Sequence, residues 1–442
     1  MKIEVKPGMS RYRWVVMTLI FVVYTVAHAD RANIGFALPY IQEEFHINNT
    51  MAGLLVSLFF GGYAVAQIPA GYLTGKIGVR RAYTMGMLFT SLCTGLMGVV
   101  DSIIHLKILR TLVGVSEAPV VIGSTVTINN WFPAKEKGTA TGLFLAASKC
   151  GPLVVPPICA WIILNYDWRH IFLFFALPGA VLAILWYIMV PNHPEQSSHV
   201  RQGELDYINE TSTAASEKKQ ARRPFRYCWA DKLLRTKKVE ELHSSKEVFR
   251  CWDIYGAAFG YFFNVGTVGV LMSWLPKYLL QERHMAIMSS AIVAMAPFAG
   301  TVAGNVIGGW ISDRFFAERR KPFMIISAVC TIITMSLLVH APEDLTLLSA
   351  LFFIMGLLLA LGYSCYSVYA MGRADKATYP IAYSVINMGG QLGGMVMPLV
   401  VGIILDFGSW NAVFASLAGG ALLCLLFVLT IVEPLPRGAS ME

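Results

Sequence analysis

The chain has 442 residues, 56% of them hydrophobic and only 14% charged, with a mean hydropathy of +0.57. That leaves too little polar surface to coat a soluble globule of this length, which excludes a soluble enzyme or binding domain and points to an all-α membrane protein. The formal net charge of +8 would suit a nucleic-acid partner only if the basic residues formed a patch, and their distribution is of another kind.

A helical span takes about 20 apolar residues. Twelve such stretches are centred near residues 25, 61, 91, 115, 152, 179, 264, 298, 332, 357, 392 and 420. With the amino terminus inside, the inner loops hold Lys2, Lys6, Arg11, Arg13, Lys76, Arg80, Arg81, Lys135, Lys137, Arg314, Arg319, Arg320, Lys321, Arg373, Lys376, Arg437 and the basic cluster from Arg201 to Arg250. The outer loops hold only Lys107, Arg169, Lys277 and Arg283. The positive-inside rule therefore puts both termini and the middle loop in the cytoplasm and excludes a nucleic-acid role.

The first stretch follows basic residues and contains Ala27-His28-Ala29, which imitates a cleavable signal peptide. Eleven further apolar stretches follow, so it reads as a retained first helix. Within it, Tyr24 to Pro39 places Asp30 beside Arg31. Each buried charge costs about 2.5 to 3.5 kcal/mol on insertion scales, so both need partners. The fourth stretch supplies them in Arg110 and Glu117. Seven residues turn a helix through about 700°, so these two side chains share one face about 10 Å apart along the axis, placed to flank something between them.

Other polar groups are more scattered. His28 is either a proton relay or a hydrogen-bonded structural residue. In the second stretch Tyr63 and Gln67 lie one turn apart and are able to donate to substrate oxygens. Lys149 lies beside Ser148 in the fifth and is read either as a substrate contact or as a snorkelling side chain. Asn48-Asn49-Thr50, on the outer side, is a glycosylation sequon. Pro119, Pro152, Pro156 and Pro157 are expected to interrupt the fourth and fifth helices. The eight cysteines show no metal-ligand spacing and read as inert thiols, and no residue pattern calls for a metal or other cofactor.

The first six spans end near Pro191 and the last six begin near Trp252. This predicts a six-helix bundle over 1–191, a cytoplasmic linker over 192–250 and a second six-helix bundle over 251–442. The linker is rich in Ser, Glu, Lys and Arg and reads as a solvated tether, partly helical. The second half has no ionisable residue near a span centre. It offers Tyr261 and Asn264, then Tyr363, Ser364 and Tyr366, then Ser384, Asn387 and Gln391 on one helical face. Tyr261 and Asn387 are the expected substrate contacts from that half. Gly389, Gly390, Gly393 and Gly394 permit close helix approach.

The halves look like copies. Gly71-Tyr72-Leu73-Thr74-Gly75-Lys76 followed by Arg80-Arg81 matches Gly309-Trp310-Ile311-Ser312-Asp313-Arg314 followed by Arg319-Arg320. Matched loops indicate an internal repeat, and two repeated bundles are a transporter architecture. The first loop faintly mimics a phosphate-binding loop, but its spacing is one residue short and Ile77 stands where Ser or Thr is needed, so ATP is not indicated.

Both loops resemble the signature of the major facilitator superfamily, with Asp313 in place and Gly75 where an aspartate is usual. The runs HADRANIGFALPYI, LRTLVGVSEAP, NNWFPAKEKGTATG and SWLPKYL resemble its anion:cation symporter family, which moves organic carboxylates, over essentially the whole chain. The resemblance implies twelve transmembrane helices in two pseudo-symmetric six-helix bundles and a functional monomer in a bacterial inner membrane, among membrane lipid. It also implies that Arg31 and Arg110 hold the substrate carboxylate, that Asp30 and Glu117 carry the coupling proton, and that Asp313 and Arg314 gate the cytoplasmic side. Lys149 and His28 depart from it, standing where a glutamine and a tyrosine are common.

A charge count leads the same way. Arg31, Arg110 and Lys149 against Asp30 and Glu117 leave one surplus positive charge in the first bundle, which a bound anion neutralises. When substrate takes an arginine, the acid left behind takes up a proton, so the two ligands bind cooperatively. The expected function is proton symport of a small organic carboxylate, a sugar acid or dicarboxylate, by alternating access. The alternatives are sodium-coupled or exchange transport of an organic anion. A membrane-embedded enzyme is disfavoured because no nucleophile–base pair or metal triad falls in the spans.

Overall fold

The computed structural model describes residues 10–214, 235–237, 239–315, 319–340, 342–375 and 378–434. Twelve long helices dominate these residues. The first six are α1 (Tyr12–Phe45), α2 (Asn49–Ile77), α3 (Val79–Met97), α4 (Ile103–Trp131), α5 (Ala134–Asn165) and α6 (Arg169–Met189). After a short helix, α7 (Gln202–Ala214), and another, α8 (Ser245–Arg250), come α9 (Trp252–Lys277), α10 (Ile287–Phe315), α11 (Lys321–Leu338), α12 (Leu345–Arg373), α13 (Tyr379–Phe407) and α14 (Trp410–Thr430). Each of the twelve expected span centres falls inside one of the long helices.

Eleven of the described helices are long and apolar enough to cross a membrane. The exception is α3, whose buried face carries Thr84, Thr90, Ser91 and Thr94. Thr84 and Thr90 donate to the carbonyls of Arg80 and Gly86 one turn back, at 2.8 and 2.9 Å, so these hydroxyls are satisfied within the helix. Thr90 also meets Ser116 of α4 at 2.7 Å.

Two expectations about interruptions fail. α4 runs unbroken through Pro119, and α5 through Pro152, Pro156 and Pro157. Breaking a span would strand several backbone groups in hydrocarbon, a larger penalty than the one hydrogen bond each proline removes. α1 likewise continues through Ala27-His28-Ala29.

The chain forms two compact units. The first holds the described residues within Met1–Asn33, Gly61–Val155 and Ile162–Ala221, and the second those within Ile34–Phe60, Pro156–Trp161 and Arg222–Glu442. α1 and α2 therefore each contribute one part to each unit. In the first unit the core gathers Val16, Ile20, Tyr83, Trp131 and Trp186. Tyr83 stacks on Trp186 with 3.8 Å between ring centroids, and Gly123 leaves the space its ring occupies. In the second unit the core is built on Phe323, Tyr366, Tyr369 and Ile386.

The segment expected to be a solvated tether is fastened at its described parts. Glu204 of α7 is fully buried. Its carboxylate accepts from the backbone N–H groups of Tyr12 and Arg13 at 3.1 and 3.2 Å, capping α1, and from the Ser10 hydroxyl at 2.6 Å. Arg13 bridges Glu204 at 2.9 Å and Glu136 at 2.8 Å, and its guanidinium lies over Tyr207. In the second unit, Thr236 and Lys237 pair in parallel with Glu433 and Pro434. Burial pushes the Glu433 carboxyl above the ordinary range, against the backbone N–H groups of Arg320 and Lys321 that donate to it at the start of α11. A charge-rich helix reads as solvated from composition, yet a carboxylate at a helix N-terminus beside an arginine has good reason to dock.

Removing one partner of a buried ion pair costs about 3 to 5 kcal/mol. Glu204→Ala is accordingly expected to lower the thermal unfolding temperature of the detergent-solubilised protein markedly, whereas Asp206→Ala, on the exposed face of α7, leaves it within a degree or so.

Candidate functional site

The ions expected to meet do meet, within the first unit. Arg31 donates Nε to Glu117 Oε1 at 2.8 Å, and its Nη2 lies 2.8 Å from the same oxygen. The guanidinium also sits over the Tyr63 ring, 4.8 Å from its centroid. This cation–π contact is worth about 2 kcal/mol or more when desolvated. Asp30, Arg110 and Glu117 are each no more than 3% exposed.

Arg110 reaches the main chain of α1. Its Nη1 donates to the Asp30 carbonyl at 3.1 Å and its Nη2 to the Arg31 carbonyl at 3.2 Å. Arg110 thus staples α4 to the backbone of α1 at the residues that carry the other two charges. What lies between Arg110 and Glu117 on their shared face is therefore the Asp30-Arg31 segment itself. Seven-residue spacing on α4 makes this possible, since it aims both side chains at one stretch of α1.

Sequence reasoning missed Asn33. It is fully buried, three residues beyond Asp30, and its Nδ2 donates to Asp30 Oδ1 at 3.4 Å. The i, i+3 spacing was the available signal. Also missed was Tyr24, which stacks on Phe144 at 4.1 Å and meets the His28 ring edge-on at 4.3 Å. His28 Nδ1 lies 3.1 Å from the Tyr24 carbonyl oxygen, the hydrogen-bonded structural arrangement. Lys149 is half-buried on α5, and its charge and that of Arg31 both act on the His28 ring. Glu117 Oε2 is buried and accepts no hydrogen bond. A carboxylate so placed has capacity for one more proton or donor.

The residues expected from the second half lie in the second unit. Tyr261 is 6% exposed and packs against Tyr363 and Tyr366, at 5.4 and 5.0 Å between centroids. Tyr366 is fully buried, its hydroxyl 3.3 Å from Cys424 Sγ, so it is a core residue rather than a surface one. Asn387 is half-buried on α13; Ser384, three residues before it, is exposed and donates to the Pro380 carbonyl at 2.7 Å. Asn264 is buried with an unpartnered Oδ1 against a small cavity lined by Thr267, Thr331 and Cys424. The side chains of Asp313, Arg314 and Ser364 lie outside the described residues. Among the described residues there is no cluster suited to a metal ion.

Twelve long helices among the described residues, two of which draw four intramembrane ions together, define in class a multi-pass membrane transporter. The model of the Major Facilitator Superfamily matches residues 20–374 and again 257–441, and the chain belongs to that superfamily. It is 28% identical to the "Probable galactarate/D-glucarate transporter" of Escherichia coli strain K12, over 98% of this chain and 97% of that one. Identity is 26% to the D-galactonate transporter of E. coli O6:H1, covering 98% of each chain. It is also 26% to the "Probable sulfoacetate transporter" of Cupriavidus necator, covering 96% of each. In fold it is similar to a D-xylose–proton symporter, with a TM-score of 0.73 and 17% identity over 95% of this chain and 98% of that one.

Arg110→Ala removes two bonds to α1 and leaves Asp30 buried beside one fewer cation. It is expected to cost about 3 to 5 kcal/mol of stability, read as a drop in thermal unfolding temperature. Tyr63→Leu, which removes the ring contact together with the hydroxyl's hydrogen bonds to Gln67 and Arg31, is expected to cost about 2 kcal/mol or more.

Proposed function

We propose that this chain carries a small organic carboxylate across a bacterial inner membrane together with protons. A sugar acid or dicarboxylate is the favoured cargo. The reading rests on the Arg31–Glu117 pair: a cation with two nitrogens on one oxygen of a buried acid whose second oxygen is unpartnered. The arginine fork matches a carboxylate, so a substrate anion competes with Glu117 for Arg31. A buried carboxylate that loses its cation takes up a proton instead of remaining charged. Asp30, beside Arg110, is the second proton carrier, and Arg110 positions the segment that bears both.

The substrate class draws support from the relatives, which are named for galactarate and D-glucarate, D-galactonate and sulfoacetate. Galactarate and glucarate carry two carboxylates, and Lys149 offers a second cation for such a molecule. Tyr63 serves Arg31 and the substrate on the first bundle, and Tyr261 and Asn387 serve the substrate from the second. Residues 1–191 and 251–442 are the two bundles of the alternating-access cycle, joined by 192–250, with Asp313 and Arg314 gating the cytoplasmic side. Both termini are cytoplasmic, and the monomer is the working unit.

Protein reconstituted in liposomes tests this. An inward proton gradient should drive accumulation of galactarate or galactonate by the wild type. Glu117→Gln should abolish accumulation while preserving exchange of labelled for unlabelled acid. Accumulation driven by sodium alone, or retained by Glu117→Gln, contradicts the proton assignment. In detergent, the transported acid at 100 times its dissociation constant should stabilise the wild type by about 2.7 kcal/mol, whereas Arg31→Ala should show no such shift.

A further inference from the structure

Asn33 belongs to the ion cluster of the first unit yet has no task in the transport cycle described above. It is fully buried in α1, one turn beyond Asp30. Its Nδ2 donates to Asp30 Oδ1 at 3.4 Å, while its own Oδ1 is buried without a hydrogen-bond partner. A bare amide oxygen inside a span is costly, and an apolar residue at this position would leave none. Among the described residues Asn264 and Gln391 also hold buried, unpartnered amide oxygens, but both lie in the half of the chain whose span centres carry no acid. Of the three, Asn33 is the one set against a group that is able to supply a hydrogen.

The rest of the cluster leaves that group to Asn33. The charges facing Asp30 are Arg110 and Glu117, both on α4. Arg110 donates Nη1 and Nη2 to the carbonyls of Asp30 and Arg31, and Glu117 is engaged by Arg31. On α1 the nearby titratable groups are Arg31, which lies over Tyr63 of α2, and His28, whose Nδ1 faces the Tyr24 carbonyl. Lys149 of α5 acts on His28. Among the described residues the side chain hydrogen-bonded to the Asp30 carboxyl is that of Asn33.

A carboxylate only accepts, so it uses the Nδ2 hydrogen and offers nothing to Oδ1. A protonated carboxyl carries a donor and an acceptor on one carbon, as a carboxamide does, and two such groups close a pair of hydrogen bonds. We infer that Asn33 positions the coupling proton: protonated Asp30 donates from Oδ2 to Asn33 Oδ1 while its Oδ1 still accepts from Nδ2, so the amide is satisfied only in the proton-loaded state. The role in coupling rests on the symport reading above; the pairing itself does not. Spacing of i, i+3 keeps both groups on one helix, so the pair closes without rearranging any neighbouring helix.

Infrared pH titration of the detergent-solubilised full chain tests the pairing without transport. The carbonyl stretch of protonated Asp30 is the band that Asp30→Asn removes. In Asn33→Leu this band should move to higher frequency, because its hydrogen-bond donor is gone. The acid loses two bonds and the carboxylate only one long one, so the titration midpoint should fall. The expected fall is about one pH unit, tenfold in proton affinity, near the worth of one neutral hydrogen bond. Asn33→Ala, which removes the amide without adding bulk, should show both displacements and guards against a folding defect in the leucine variant. An unmoved band or a midpoint that rises makes Asn33 a packing residue and overturns the inference, as does the lack of any band removed by Asp30→Asn. In liposomes the alkaline limb of gradient-driven acid uptake should shift down by the same unit in Asn33→Ala, and an unshifted limb overturns the role in coupling. If the band moves but the wild type takes up no acid, the pairing stands and the symport reading fails.

Discussion

A charge surrounded by hydrocarbon must have a partner, and this structure is arranged around that requirement. Asp30 and Arg31 sit deep in α1, where neither is tolerated alone. α4 answers with Arg110 and Glu117 at a spacing that turns both toward the same stretch of α1. The resulting cluster draws two helices together and leaves a carboxylate oxygen of Glu117 unsatisfied. Buried ion pairs stabilise poorly against an apolar replacement, so a network of this kind is better explained by work than by stability.

The same requirement explains the roles within the cluster. Arg31, held by Glu117 and the face of Tyr63, keeps side-chain partners that a carboxylate can displace. Arg110 is bound to two main-chain carbonyls of α1. One arginine is thus suited to exchange and the other to holding α1 in place. At the α7 end of α1 a parallel device, Glu204 with Arg13, fixes the helix start, and in the second unit Glu433 does the same for α11. Carboxylates at helix N-termini recur as fasteners, and Asp406 holds the start of α2 in the same way.

Much of this was legible in the residues. Hydropathy located all twelve long helices because the lipid environment enforces one simple rule on each. The intramembrane charges stood out because their cost is large, and the seven-residue interval on α4 predicted that Arg110 and Glu117 would face one target. That Arg110 would also bond two carbonyls of α1 was not legible, since backbone acceptors leave no mark in sequence. Nor was the docking of α7, whose composition matches a solvated helix until Glu204 is seen against the start of α1. The prolines misled because helix propensity learned in water overstates their effect in a span. The assignment of 34–60 to the second unit depends on backbone contacts at glycines, and glycine spacing names no partner.

The most direct test of the central claim is the proton stoichiometry of binding. Calorimetry of acid binding to the detergent-solubilised protein, in buffers of differing ionisation enthalpy, reports protons taken up as substrate binds. If the substrate displaces Glu117 from Arg31, the wild type takes up protons on binding and Glu117→Gln takes up fewer. Binding of the acid with the same proton balance in both proteins would contradict the account.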